Sequence, residues 1–201
     1  MEKSYICKKL TPKEVIHIYS DTAVRHFPKA ELKPVENVQN YLENDLYMGY
    51  GLFKDEQLLS YALFLILPEE QKLLLDYYAV LEEYRNDGIG SVFLQLLRKT
   101  LTCADGIYIE SENPDFSKDE QEKKIQTKRI AFYQRNGAVP TGILSTLFGV
   151  PYQILFLPVL KTDRQNAVCR NQNDFYQEID LIYHTMFSPD IYAKKVSLKK
   201  V

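Results

Sequence analysis

Two glycines in a polar turn mark the first chemistry in this chain. Arg85-Asn86-Asp87-Gly88-Ile89-Gly90-Ser91 follows an apolar, aromatic run from Leu73 to Leu81. The run holds neither Gly nor Pro and reads as a largely buried strand. After the turn, apolar residues recur at Ile89, Phe93, Leu96, Leu97 and Leu101, the spacing of one helix face. The order is strand, glycine turn, helix. Such a turn presents backbone N–H groups at a helix N-terminus, where the aligned peptide dipoles favour an anion. Glycines let a phosphate approach where a Cβ would stand. Two familiar phosphate loops fail here: no Gly-Lys pair exists in the chain, and Phe93 stands where the dinucleotide fingerprint needs its third glycine.

Carboxylates are the second source of chemistry. Gly106-Ile107-Tyr108-Ile109-Glu110-Ser111-Glu112 alternates strictly, so Tyr108, Glu110 and Glu112 share one strand face. Asp76 lies inside the otherwise apolar run. An acid there must border a cleft, be paired or be protonated. His17, His26 and His184 have no partners at motif spacing and read as structural. Cys7, Cys103 and Cys169 are odd in number and widely spaced, so neither a disulfide framework nor a zinc site is indicated. No metal constellation is expected.

The elements that must position these groups can be read in order. Ser4 to Leu10 is a short strand. Thr11-Pro12-Lys13-Glu14 reads as a helix start, with Thr11 as N-cap, Pro12 first and Glu14 closing a capping box. Val15, Ile18, Tyr19 and Thr22 give its apolar face, and a second helix is expected from Val35 to Glu43 with Val38 and Leu42 inward. Leu46–Phe53 and Gln57–Leu67 are strands joined by a hairpin at Lys54-Asp55-Glu56. Pro68–Gln71 turns into the central strand. The helix from Ile89 and the strand at Gly106 then imply a right-handed crossover and one parallel pair.

Asn113–Glu122 reads as an exposed loop. The helix after it starts with Lys123, Lys124, Lys128 and Arg129, has Ile125, Ile130, Phe132 and Tyr133 as apolar members, and stops at Asn136-Gly137. Val139–Val150 and Tyr152–Leu160 read as closing strands separated by Pro151, and Lys161–Asp174 as loop. Phe175, Ile179, Ile182 and Met186 trace a final helix with a second stripe of Tyr176, Tyr183 and Phe187. A helix apolar on more than one face needs cover from its own sheet or from a second subunit, so a homodimer through this helix is one expectation.

Composition bounds the function. With 201 residues, one domain with a substantial core is expected. Hydrophobic content of 45% and charged content of 26% are ordinary for a soluble protein. A net charge of −2 gives no pull toward nucleic acid or anionic lipid. The N-terminal MEKSYICKKL lacks a signal-peptide core and no apolar run is long enough to span a bilayer, so a cytoplasmic protein is expected.

Arg85-x-x-Gly88-x-Gly90 resembles the R/Q-x-x-G-x-G/A signature of the GNAT superfamily of acyl-CoA-dependent N-acetyltransferases, and Tyr78-Ala79-Val80-Leu81 resembles the strand that precedes it. Arg129 to Ala138, R-I-A-F-Y-Q-R-N-G-A, resembles the second signature, A-x-x-L/F-Y-x-x-x-G-F. The sequence departs from the pattern at Gln126, where an Asn is commoner, at Arg129, where a small residue is usual, and at Ala138, which replaces a Phe. The resemblance covers about Ser4 to Leu160. It implies an α/β (α+β) fold with a mixed, mostly antiparallel sheet, one parallel strand pair splayed around the cofactor, and helices on both faces. The domain expectation is one GNAT-like unit over residues 1–201, with a core of about 4–160 and a helical extension of about 172–195.

The resemblance also implies the site. Acetyl-CoA would be the co-substrate, held by Tyr78, Ala79, Val80 and Leu81 along its pantetheine arm. Its pyrophosphate would meet Arg85, Asn86, Asp87, Gly88, Ile89, Gly90 and Ser91, with Gln126 as a further contact. A Lys or Arg of the basic helix start can meet the ribose phosphate, although such charge runs are commonly solvated faces. Acyl transfer needs a neutral amine, and a lysine-like amine, with a pKa of about 10.4, is neutral in only about one molecule in a few thousand at pH 7. A base is therefore needed, and a weak acid must protonate the leaving thiolate. Tyr133 resembles the family's acid; its other reading is a core tyrosine. Glu110 resembles a functional Glu of ribosomal-protein N-acetyltransferases, with Glu112 and Asp76 as further candidates for the base. Backbone N–H groups of the central strand can stabilise the oxyanion. The expected function is acetyl transfer from acetyl-CoA to a primary amine. A non-catalytic acyl-CoA-binding module is the alternative.

Overall fold

The computed structural model describes residues 5–67, 71–102, 104–160 and 170–201. Ser4, the Pro68–Glu70 part of the expected turn, Cys103, and residues 161–169 with Cys169 lie outside them. The chain forms two compact units, Met1–Ala104 and Asp105–Val201.

In the first unit, β1 (Ile6–Lys9) leads into α1 (Pro12–Ile18), a wide turn over Tyr19–Ala23 and the short α2 (Val24–His26). The capping box at Thr11 forms as the sequence indicates: its side chain accepts from the Glu14 N–H, and Glu14 Oε2 accepts from the Thr11 N–H at 2.7 Å. α3 (Val35–Glu43) follows, with Val38 fully buried. Then β2 (Tyr47–Lys54), β3 (Gln57–Leu67) and β4 (Lys72–Val80) complete an antiparallel meander in the order β1-β2-β3-β4. The hairpin between β2 and β3 turns on Asp55 and Glu56, both at positive φ, as a two-residue turn requires.

Period-two alternation on β4 sorts neighbours to opposite faces. Tyr77 meets Tyr19 and Phe27, with ring centroids 5.4 and 5.0 Å away. The next residue, Tyr78, stacks at 5.7 Å on Phe93 of α4 (Ile89–Thr100). Helices therefore cover both faces of this sheet. α4 buries Ile89, Phe93, Leu94 and Leu97, each apolar side chain contributing about 1.5–3 kcal/mol.

In the second unit the strands are β5 (Gly106–Glu112), β6 (Val139–Leu147), β7 (Val150–Pro158) and β8 (Val196–Lys200), ordered β5-β7-β6-β8, with antiparallel pairing throughout. α5 (Glu120–Arg135) packs on β5, α6 (Gln172–Met186) on β6 and β8, and α7 (Pro189–Lys195) on β8.

Several boundaries differ from the sequence reading. α5 starts at Glu120, capped by Asp119, with Glu120 and Glu122 in its first turn, so its start is acidic rather than basic. Ile125 is 52% exposed and does not join the core, whereas Gln126 is buried. The β6–β7 turn falls on Phe148-Gly149, both at positive φ, and Pro151 lies inside β7 opposite Thr146. α6 begins inside the stretch read as loop, because Asn171 and Asp174 form a capping box. β8, absent from the sequence reading, pairs with β6. The second stripe of α6 finds cover within the chain: Tyr183 has no exposed surface, and Tyr176 and Phe187 are half-buried. The expectation of a dimer rested on that stripe; Tyr183 is covered within the chain, while Leu181 on the same helix is 40% exposed.

Candidate functional site

The anion-binding turn is built entirely within the first unit. Leu81 N–H, just past β4, donates to Leu59 O at 3.0 Å, and Arg85 Nε returns to Val80 O at 3.2 Å. Asn86 (φ 71°) and Gly88 (φ 76°) take left-handed conformations, and Gly88 caps α4. The first-turn N–H groups of Ile89 and Gly90 have no intrahelical acceptor by helix geometry. A Cβ built on Gly88 meets no atom within 4 Å, so this face of the turn is open. Residues 85–88 are exposed while Ile89 is buried, which anchors the turn from below. Tyr78 adds a brace, its hydroxyl donating to Gly90 O at 2.6 Å. The strand, the turn and the first turn of α4 are thus one hydrogen-bonded piece, with Tyr78, Ala79, Val80 and Leu81 half-buried along its edge. An open cradle of backbone donors at a helix N-terminus, with no side chain filling it, fits a pyrophosphate.

Asp76 sits in the same strand, and its environment selects one of the three options open to it: it is paired. The register skips from Leu63↔Tyr77 to Phe64↔Leu75, leaving Asp76 as the bulged residue of β4. Tyr47 Oη donates to Asp76 Oδ2 at 2.5 Å, and Lys33 Nζ donates to Oδ1. The Asp76 side chain is 6% exposed and that of Lys33 is 21% exposed. Burial, with the Asp76 charge beside it, raises the Tyr47 phenol well above its ordinary range, so Tyr47 is a donor at neutral pH.

In the second unit Glu110, Glu112, Gln126 and Tyr133 occupy β5 and α5. Glu110 accepts from the hydroxyl of Tyr183 on α6, which also lies 3.0 Å from Ser145 Oγ. Glu112 pairs with Arg129 of α5 at 3.2 Å. Tyr133 and Gln126, seven residues apart on one side of α5, are both buried. Burial pushes the Tyr133 phenol up to about 12, and the Arg129 cation opposes that rise. The oxygen Oε1 of Gln126 is buried with no hydrogen-bond partner. Tyr108, the third residue of the Glu110 face, donates to Glu178, which Arg170 joins to Asp105.

Two signatures in order, the open glycine cradle and the strand–turn–helix brace agree with the comparison to known families. The profile of the Acetyltransferase (GNAT) family matches residues 13–138, more than half of the chain. The chain belongs to that family. Among curated proteins none matches it. Solved GNAT structures share the fold. A GNAT-family protein from Bacteroides thetaiotaomicron aligns with a TM-score of 0.65 at 19% identity, covering 90% of this chain and 96% of its own. A ribosomal-protein-alanine N-acetyltransferase from Escherichia coli aligns at 0.54 and 15%, covering 81% and 99%. An aminoglycoside 6'-N-acetyltransferase complexed with coenzyme A aligns at 0.54 and 14%, covering 79% and 99%.

Sequence reasoning missed Lys33, Tyr47 and Tyr183. Each meets a candidate carboxylate from a distant element, 43, 29 and 73 residues away, and no local pattern carries that information. The histidines are occupied elsewhere: His26 Nδ1 lies 3.1 Å from Tyr61 Oη, His17 pairs with Asp21, and His184 stacks on Tyr192. No group of three metal-ligating side chains occurs among the described residues. No helix there is long and apolar enough to cross a membrane.

Proposed function

We propose that this GNAT-family protein is a cytoplasmic enzyme that moves an acetyl group from acetyl-CoA to a primary amine. The observation that carries the reading is the open turn of Arg85–Ser91, with left-handed Asn86 and Gly88, braced to β4 by the Tyr78–Gly90 hydrogen bond. Family membership supports it, as does a fold shared with an enzyme captured with coenzyme A. When bound, the thioester supplies an activated acyl group. The chain's own residues do the rest. The backbone from Tyr78 to Leu81 pairs with the pantetheine arm, and the turn amides hold the phosphates.

Glu110 takes the amine proton, directly or through water, a role worth roughly 10²–10⁴-fold. The hydrogen bond from Tyr183 keeps that carboxylate oriented. Tyr133 retains its proton at neutral pH, because burial raises it to about 12, and it protonates the leaving thiolate. Glu112 and Asp76 are weaker candidates, since each already faces a cation. The second reading, a non-catalytic acyl-CoA-binding module, shares the turn but needs no base or acid. Incubation with acetyl-CoA and a panel of amines, reading free thiol, separates the two. An amine-dependent thiol signal supports the enzyme; tight acetyl-CoA binding with no thiol release from any amine supports the module.

A further inference from the structure

Lys33 and Asp76 form a nucleophile–base pair that the proposed transfer to an external amine does not use. Both lie in the first unit: Asp76 is on β4, the strand that leads into the Tyr78–Leu81 edge, and Lys33 is in the irregular segment between Glu31 and α3. The backbone around Lys33 is clamped on three sides. Tyr77 Oη donates to Glu31 O at 2.9 Å and accepts from the Lys33 N–H at 3.3 Å, while Tyr19 Oη donates to Lys33 O at 2.7 Å. The Lys33 ammonium sits against the Asp76 carboxylate and 5.2 Å from the centre of the Tyr77 ring. A side chain held this way loses little further freedom on reacting, and such positioning lowers a barrier substantially.

The location matters as much as the clamp. Asp76 is the bulged residue of β4, two residues before Tyr78. At about 3.3 Å per residue, it lies roughly 16 Å along the strand from Leu81, on the order of the length of an extended pantetheine arm. An arm anchored by its phosphates at residues 85–91 and running along Leu81 to Tyr78 brings its thioester toward Asp76 and Lys33. Lys8, by contrast, is 55% exposed and pairs with Glu14 on the surface.

The geometry points to Lys33 as a self-acylation site: bound acetyl-CoA transfers its acetyl group to the Lys33 amine, with Asp76 as the base. This rests on the assignment of acetyl-CoA to the turn. Asp76 accepts one proton from the ammonium, and the neutral nitrogen attacks the thioester carbonyl carbon. The N–C bond forms and the C–S bond breaks, with the electron pair leaving on sulfur. The second proton lost by nitrogen neutralises the thiolate, so one acetyl-lysine and one free thiol form per turnover. Asp76 then passes its proton to solvent; the cation that faced it is gone, so the largely buried carboxylate is left without its counter-charge, a costly arrangement.

The test is a time course of the full-length protein with acetyl-CoA, followed by peptide mass mapping, with binding measured in the same samples by thermal shift. Acetyl-Lys33 should form as a single stoichiometric mark, at a rate independent of protein concentration, and excess coenzyme A should suppress it. Lys8 should lag behind, with a rate that coenzyme A does not affect. Asp76→Asn, which keeps the shape of the side chain, should slow Lys33 acylation by about 10²-fold. A readout that needs no acetyl-CoA accompanies it: Lys33→Gln, which mimics the acetylated state, should melt at a lower temperature than Lys33→Arg. A protein that binds acetyl-CoA yet leaves Lys33 no more acetylated than Lys8 overturns self-acylation and leaves the assignment of the turn intact. A protein with no acetyl-CoA thermal shift overturns both.

Discussion

The phenol of Tyr183, on α6, donates its hydrogen to Oε1 of Glu110, on β5, and its oxygen lies 3.0 Å from Ser145 Oγ of β6. The family match ends at residue 138, so a helix beyond it reaches back to a carboxylate proposed as the base. Burial, then the Glu110 charge, raises Tyr183 far above the ordinary phenol range. Its proton therefore stays in place at neutral pH, and it acts as a donor.

Tyr183→Phe tests that relationship while keeping the ring. Leaving buried polar partners without their donor costs about 1–3 kcal/mol, readable in denaturant melts. The hydrogen bond favours the charged carboxylate, so its loss makes Glu110 easier to protonate. The acidic limb of kcat/KM should move to higher pH. An unmoved limb, in a folded variant, would separate Tyr183 from the base.

For the turn, acetyl-CoA at about 100 times its Kd should stabilise the wild type by roughly 2.7 kcal/mol. Gly88→Val should lose most of that shift, since its Cβ enters the open face and its φ of 76° strains a β-branched side chain. Arg85→Ala should lose only part, because the turn offers mainly backbone donors. Equal shifts for wild type and a folded Gly88→Val would refute the assignment.

Tyr133→Phe removes the proposed acid with little change of shape. Acetyl-CoA affinity should hold while kcat drops by about 10²-fold. Because Tyr133 ionises only at about 12, the wild-type rate should show no alkaline loss attributable to it below about pH 10. The measurement is a pair of pH–rate profiles, wild type against Tyr133→Phe.

Acid stability has a separate signature at the start of α1. Glu14 accepts from the Thr11 backbone and from Lys8, which lowers its carboxyl from 4.5 to about 2. A depressed folded-state pKa stabilises above the unfolded value, and that contribution is lost as pH falls from 4.5 toward 2. The group is exposed, so solvent screening keeps the effect small. Glu14→Gln should flatten the stability–pH curve in that window and leave the slope above pH 5 unchanged. Thr11→Ala should cost about 1 kcal/mol through loss of the cap.

The legible parts of the molecule share a short range. Thr11 and Glu14 are three residues apart, and the cap forms as read. Gly88 and Gly90 lie beside the helix they start. The meander strands announce themselves by apolar runs with polar turns between them. What could not be read depended on distant partners or on competing local signals. Asp119 outbid the lysines as the start of α5 because a cap needs an acceptor side chain, not charge alone. Pro151 suggested a break, but the turn went to Phe148-Gly149 because Pro is tolerated near a strand end. β8 is a short stretch that ends on Lys199 and Lys200 and follows Lys194 and Lys195, and pairing with β6 makes it a strand. The strand positions of the candidate carboxylates Glu110, Glu112 and Asp76 are legible in the sequence, but the groups facing them are not.

Transfer of acetyl to nitrogen is tested most directly by following thiol release from acetyl-CoA together with the mass of the acceptor. A panel spanning polyamines, aminoglycosides, amino acids and peptide N-termini should contain an amine that gains one acetyl group per thiol released. Glu110→Gln and Tyr133→Phe should each slow that reaction by about 10²-fold while still binding acetyl-CoA. Full turnover by both variants would contradict the assigned acid and base. No acceptor-dependent thiol release from a wild type that binds acetyl-CoA tightly would contradict the enzyme itself.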